Sequence, residues 1–248
     1  MKLKAPLLLS AVIMTSTVGL SFQSVVNAEE VVKVKETIDY SQVIEDYSDV
    51  ERYAAILEKY ELEHPIATPE ELDSFLSVEM GKELRSKFNS NKTYRASKYD
   101  SVPYVTDMLN AKEKEVFNSN KSYGLKALVA GQKAKEYSEA KYESGSLHNG
   151  NGDAFRHILW NTYMRNYTTK AYAEKFATAH EEGSIGQPAI EKKMDLYNNS
   201  VGRDLTFNNS GSYGDLAGVN VVQKAVDGGK GQRISKNKLV DTNSGGKK

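Results

Sequence analysis

The chain has 248 residues, 33 Lys and Arg against 33 Asp and Glu, and no cysteine. Balanced charge excludes a partner held by bulk electrostatics, so there is no strong nucleic-acid signal. Without cysteine there are no disulfides, thiolate nucleophiles or Cys-ligated metals, and any metal must rest on His, Asp, Glu, Asn or backbone oxygen.

Lys2 and Lys4 precede an apolar run from Ala5 to Met14, and small residues lead up to Ala28. This is the layout of a secretory signal peptide, with cleavage expected after Ala28. Thr15, Ser16, Thr17 and Gly19 dilute the apolar run too far for a good membrane span, so no anchor is expected after cleavage. Removal of residues 1–28 leaves 220 residues with a formal charge of −2. Export without cysteine points to a Gram-positive bacterium rather than a small disulfide-stapled eukaryotic domain.

A charged stretch follows, and Tyr40 to Tyr60 has helical spacing that His64-Pro65 ends. Thr68, Pro69 and Glu71 form a capping-box start, after which Leu72, Leu76, Met80, Leu84 and Phe88 recur every four residues. A polar loop is expected over residues 89–100. Asn110 with Glu113 starts another helix, and Asn118-Ser119-Asn120 breaks it. A long Ala-, Lys- and Glu-rich helix should end near Tyr142. Further helices are expected from Asp153 to Tyr167, Thr169 to Glu182, Pro188 to Leu205 and Asp215 to Val226, with a short strand at Lys238 to Val240.

The expected fold is therefore all-α: a helical bundle (101–242) with a charged helical extension (29–100) and a short Gly/Lys-rich tail (243–248). The first third could form a hairpin of its own.

The chemistry concentrates between His148 and Arg203, where three of the four histidines lie. Asp153 and His157 are i, i+4 and share a helix face with Asn161. A carboxylate and an imidazole one turn apart can ligate one metal, or the carboxylate can orient the imidazole as a base. His180-Glu181 ends the next helix. Glu191 and Asp195 are again i, i+4, and Asn198, Asn199 and Arg203 follow, beside an apolar stripe of Ile190, Met194, Tyr197, Val201 and Leu205. Three helices offering polar groups inward is how bundle sites are built. The bland alternatives are a dipole-compensating Asp153, a buried ion pair for Arg156 or Arg203, and Trp160 and Phe155 in the core. His64 reads as a helix-end residue. No HExxH, GxSxG or phosphate loop is present.

Together, NGNGDAFRHILWN, AHE and MDLYNNSVGR resemble a bacterial domain of unknown function found in exported, wall-associated or polymorphic-toxin proteins. The resemblance runs from Val102 to Thr242. It implicates Asp153, Arg156, His157, Trp160, Asn161, His180, Glu181, Asp195, Asn198, Asn199, Gly202 and Arg203, and implies no reaction. A looser likeness to helical zinc-dependent phospholipases lacks enough histidines for a trinuclear cluster. A likeness to the Arg-His-Asp helix of secreted phospholipase A2 fails at Ile158.

The functional expectation is a secreted hydrolase. Asp153, His157, His180 and Glu181 would be catalytic, and Asp153, His157, His180 and Asp195 would hold one Zn or Mn ion. Arg156, Asn161, Asn198, Asn199 and Arg203 would bind a phosphoester substrate. The rival is a non-enzymatic cell-wall- or protein-binding protein whose polar cluster is structural, with tyrosine-rich N-terminal helices as its contact surface. A toxin domain is a third option. Convergence of His157, His180 and Asp195 within about 5 Å is the geometric test of the site.

Overall fold

The computed structural model describes residues 38–89, 108–208 and 213–248. The expected leader, most of the charged linker and the loop after residue 89 lie outside them. Among the described residues the fold is eight α-helices and one two-stranded sheet. A 3-10 turn at Tyr40–Val43 precedes α1 (Tyr47–Glu63) and α2 (Pro69–Asn89). Next come α3 (Ala111–Ser119), α4 (Lys121–Lys141), α5 (Asn151–Tyr167), α6 (Lys170–Gly183), α7 (Ala189–Asp204) and α8 (Leu216–Asp227). The strands β1 (Gln232–Ser235) and β2 (Lys238–Asp241) close the chain.

Local chemistry explains most boundaries. Thr68 and Glu71 exchange the two bonds of a capping box at the start of α2. Asn110 and Glu113 do the same for α3. Asn120 ends α3 and caps α4 through Tyr123 N–H, while Thr169 and Asp215 cap α6 and α8. The C-terminal sequence makes an antiparallel hairpin where only its second strand was expected. Its turn residues Lys236 and Asn237 both have positive φ, at 49° and 58°. A two-residue primed turn requires that conformation and usually signals it with glycine.

The helix α5 is the central strut, packing on α4, α6, α7, α8 and β1. It is buried on nearly every side. The first two helices share this core rather than forming a separate hairpin. They pack on α4, and Val50, Leu57, Leu76 and Met80 join Leu125, Phe155 and Leu159 in one apolar cluster. The terminal tail is also integral, since Lys248 N–H donates to Lys141 and Glu143 N–H donates to Gly246.

One close approach sets the geometry of the site. A Cβ on Gly202 of α7 would lie 2.3 Å from the Ile158 carbonyl oxygen and 2.8 Å from the Asn161 Cβ. Glycine therefore lets α7 press against the backbone of α5. Gly202→Ala must separate the helices and should lower stability by about 1–3 kcal/mol in urea unfolding. An unchanged midpoint would mean that the crossing has slack.

Candidate functional site

The sequence suggested an apolar face on α7 with polar residues at its margin. The structure keeps part of this stripe, since Met194 is buried and Val201 and Leu205 pack on the core, and it buries the polar margin as well. Tyr197 and Leu196 are exposed, and the buried face is Met194 with Asp195, Asn198, Asn199, Gly202 and Arg203. Opposite it, α5 buries Asp153, His157, Asn161 and Thr162. Buried polar groups must find partners, and these find one another.

Arg203 Nη1 donates to Asn161 Oδ1 at 3.1 Å. Asn161 Nδ2 donates to Asn199 Oδ1 at 2.7 Å, and Asn199 Nδ2 donates to Glu181 Oε1 at 2.9 Å. Asn199 Oδ1 also lies 3.2 Å from His157 Nδ1. Asn198 faces another way. It donates to the Gln232 carbonyl and accepts from the Gln232 N–H, both at 2.8 Å, so it acts as a strand edge for β1.

The imidazole tautomer follows. Arg156 Nη2 lies 3.0 Å from His157 Nε2, and a guanidinium can only donate. The Nε2 atom therefore accepts, and Nδ1–H points to Asn199, with Glu181 Oε1 at 3.7 Å behind it. Burial and the Arg156 charge push the His157 pKa down to about 3, so the ring is neutral. Its Nε2 lies 3.5 Å from Asp153 Oδ1 and 3.3 Å from Asp195 Oδ1. One donor atom from each residue lies within 4.8 Å of the others, and all three residues are buried. These groups could hold a metal ion.

The two aspartates differ. Burial opposes ionisation of Asp153, but the Arg156 charge and the Asn149 N–H outweigh it and lower its pKa. Burial beside Asp153 and Glu181 pushes the Asp195 pKa up to about 8. Asp195 Oδ2 accepts from Gln187 Nε2 at 2.7 Å, whereas Oδ1 has no partner. Among the described residues five buried side-chain polar atoms lack a partner. Three of them, on Asp195, Asn149 and Gln187, belong to residues lining one cavity of about 140 Å³. Unmet hydrogen-bonding capacity is thus concentrated in the cavity that the donor trio lines.

His148, Arg156, His180, Glu181 and Glu191 also line this cavity. His180 is outside the donor trio, and its Nδ1 is held 2.8 Å from Glu113 Oε1. Burial opposes its protonation, but the bond and charge of Glu113 outweigh burial and raise its pKa. Of the five residues expected to bind substrate, only Arg156 lines the cavity. Asn161, Asn199 and Arg203 are consumed by the internal network, and Asn198 holds the hairpin. Glu191 meets Asn149 Nδ2 at 2.7 Å rather than joining the trio. His64 caps its own helix end, with Nδ1 3.0 Å from the Tyr60 carbonyl. Trp160 and Phe155 are core residues.

Asn149, Gln187 and Glu113 were not anticipated as site residues. Asn149, at φ 61°, turns the chain so that its N–H meets Asp153 Oδ2 at 2.7 Å. Gln187 precedes the Pro188 cap of α7. Glu113 signalled only a helix start.

Residues 114–230 match a family model described as a domain of unknown function, DUF6973. The matched stretch holds Asp153, His157, His180 and Asp195 and stops before the hairpin. No curated protein and no solved structure matches the chain.

The network makes a sharp stability prediction. Asn199→Ala leaves His157 Nδ1–H and Glu181 Oε1 without their amide partner and takes one of two acceptors from Asn161 Nδ2. It should cost about 3 kcal/mol or more in chemical unfolding, beyond a single lost bond. A loss under about 1 kcal/mol would mean that water replaces the amide without penalty.

Proposed function

We propose that the chain is an exported, metal-dependent hydrolase acting on phosphoesters, with one Zn or Mn ion held by Asp153, His157 and Asp195. The observation that carries the reading is the unpartnered Asp195 Oδ1, facing an imidazole whose Nε2 bears a lone pair. Two carboxylates and a neutral imidazole suit a divalent ion in charge and donor type, and three protein ligands leave a position for water. Asn199 supports the reading as the group that fixes the Nδ1–H tautomer, as partners of metal-binding histidines do. Such an ion would supply a water activated near neutral pH and polarise a phosphoryl oxygen.

Arg156 argues for the substrate class. Its half-exposed guanidinium now donates to Asp153 and His157. A cation in the trio takes over that charge compensation and leaves Arg156 for an anionic phosphoryl group. Export rests on residues 1–28 and on the resemblance to exported and wall-associated proteins. The mature protein should begin at Glu29, which N-terminal sequencing from a Gram-positive culture supernatant reads directly. An intact leader would refute secretion by cleavage.

Metal analysis of the mature protein should find one Zn or Mn per chain. Asp153→Asn and His157→Ala should each weaken binding more than about 100-fold by calorimetry, beyond what is lost from an outer-shell partner. Asp195→Asn separates this reading from a structural cluster. It should abolish binding yet raise the stability of chelated protein by about 1–2 kcal/mol, because it removes an acid buried beside Asp153 and Glu181. An empty preparation whose melting ignores chelator and added metal, with Asp195→Asn destabilised, would favour a non-enzymatic wall- or protein-binding role.

A further inference from the structure

We infer that His180, oriented by Glu113, is the general acid of this site and protonates the leaving alkoxide when the phosphoester bond breaks. The inference rests on the hydrolase reading above, and it adds a catalytic residue and a positioning residue on α6 and α3.

Two contacts define the His180 ring. Its Nδ1–H donates to Glu113 Oε1 at 2.8 Å. Glu113 is 5% exposed, and its Oε2 accepts the Asn110 N–H at 2.7 Å, so the carboxylate cannot turn away. The Trp160 ring packs edge-on against the imidazole at 5.1 Å between centroids. Asn110 Nδ2 also reaches the Ala179 and His180 carbonyls, which ties the start of α3 to the end of α6. His180 lines the same cavity as Asp153, His157 and Asp195, and no hydrogen bond among the described residues reaches its Nε2. A buried carboxylate behind an imidazole that faces a cavity fixes one tautomer and stabilises the imidazolium, as a proton donor requires.

Two of the three cavity histidines, His157 and His180, are set apart by their partners. Arg156 beside His157 keeps that ring neutral, whereas Glu113 behind His180 favours the protonated ring. In the step, water attacks phosphorus and releases its proton to solvent. The P–O bond to the leaving group breaks, the departing oxygen takes the Nε2 proton, and solvent reprotonates His180.

The test compares diphenyl phosphate, whose phenolate needs the proton, with bis(p-nitrophenyl) phosphate, whose p-nitrophenolate hardly does. The full mature chain is assayed with Mn, and bound metal is measured in every preparation. His180→Gln should lose at least about 100-fold on diphenyl phosphate and under about 10-fold on the nitrophenyl ester, with bound metal unchanged. Glu113→Gln keeps a capping residue at this helix position and removes the charge. It should lower kcat on diphenyl phosphate with little change in KM. Equal losses on both substrates would overturn the inference, as would wild-type protein that turns over neither. In that last case, one bound ion per chain leaves the metal reading standing. Turnover that depends on His180 without bound metal would instead remove the metal reading and keep the general acid.

Discussion

The site depends on the close crossing of α5 and α7. Gly202 carries no side chain where the Ile158 carbonyl and Asn161 Cβ approach, so the two helices meet nearly backbone to backbone. Contact that tight leaves little room for large apolar side chains between them. The interface beside the glycine is built instead from Asp153, His157, Asn161, Asp195 and Asn199, and the Asn161–Asn199 and His157–Asn199 bonds run across it. Each must be paired or face the cavity, because an unpaired polar group here costs as much as a bond gains. Geometry that begins with one missing methyl group thus dictates polar packing in what would otherwise be core.

The network is satisfied at one end and not at the other. From Arg203 through Asn161 and Asn199 to His157 Nδ1 every group has a partner. Past His157 Nε2 the pairing fails, and Asp195 is left with a free oxygen near two other carboxylates. A purely structural network gains nothing from such an end, since apolar replacement of a poorly paired cluster usually stabilises. Unfinished pairing beside a cavity is an arrangement that a cation could complete. Arg156 shows the same asymmetry, since it donates to Asp153 and not to the free oxygen of Asp195.

Much of this was legible because it is local. Capping boxes at Thr68 and Asn110 and the cap at Thr169 act within one turn, so the sequence pattern and the physical cause coincide. The i, i+4 pair Asp153 and His157 is equally local, and it is the half of the trio on one helix. Asp195 was expected as a ligand from its spacing with Glu191 and from the motif, but nothing within α7 says that Asp195 turns inward while Glu191 meets Asn149. Burial of a polar face on α7 defied the apolar-stripe rule, since Gly202 and α5 decide it from outside the helix. The hairpin turn at Lys236-Asn237 carries no glycine, so its first strand went unseen. Glu113 shows the limit most clearly: one carboxylate caps its own helix and holds a histidine 67 residues away, and only the first role has a sequence signature.

The working unit is consequently wider than the matched stretch of residues 114–230. On its N-terminal side, Asn110 and Glu113 fix the end of α6 and with it His180. On its C-terminal side, the Asn149 carbonyl accepts the Ile234 N–H, which fixes the loop whose N–H meets Asp153. Asn198 and Asn151 hold the hairpin and the tail against α7 and the start of α5. The loop bearing Asn149 holds only a short 3-10 turn at Ser144–Ser146, so its position also rests on these outer contacts. A fragment cut to the matched stretch would retain every donor of the trio and lose the restraints that bring Asp153 and His180 to the same cavity.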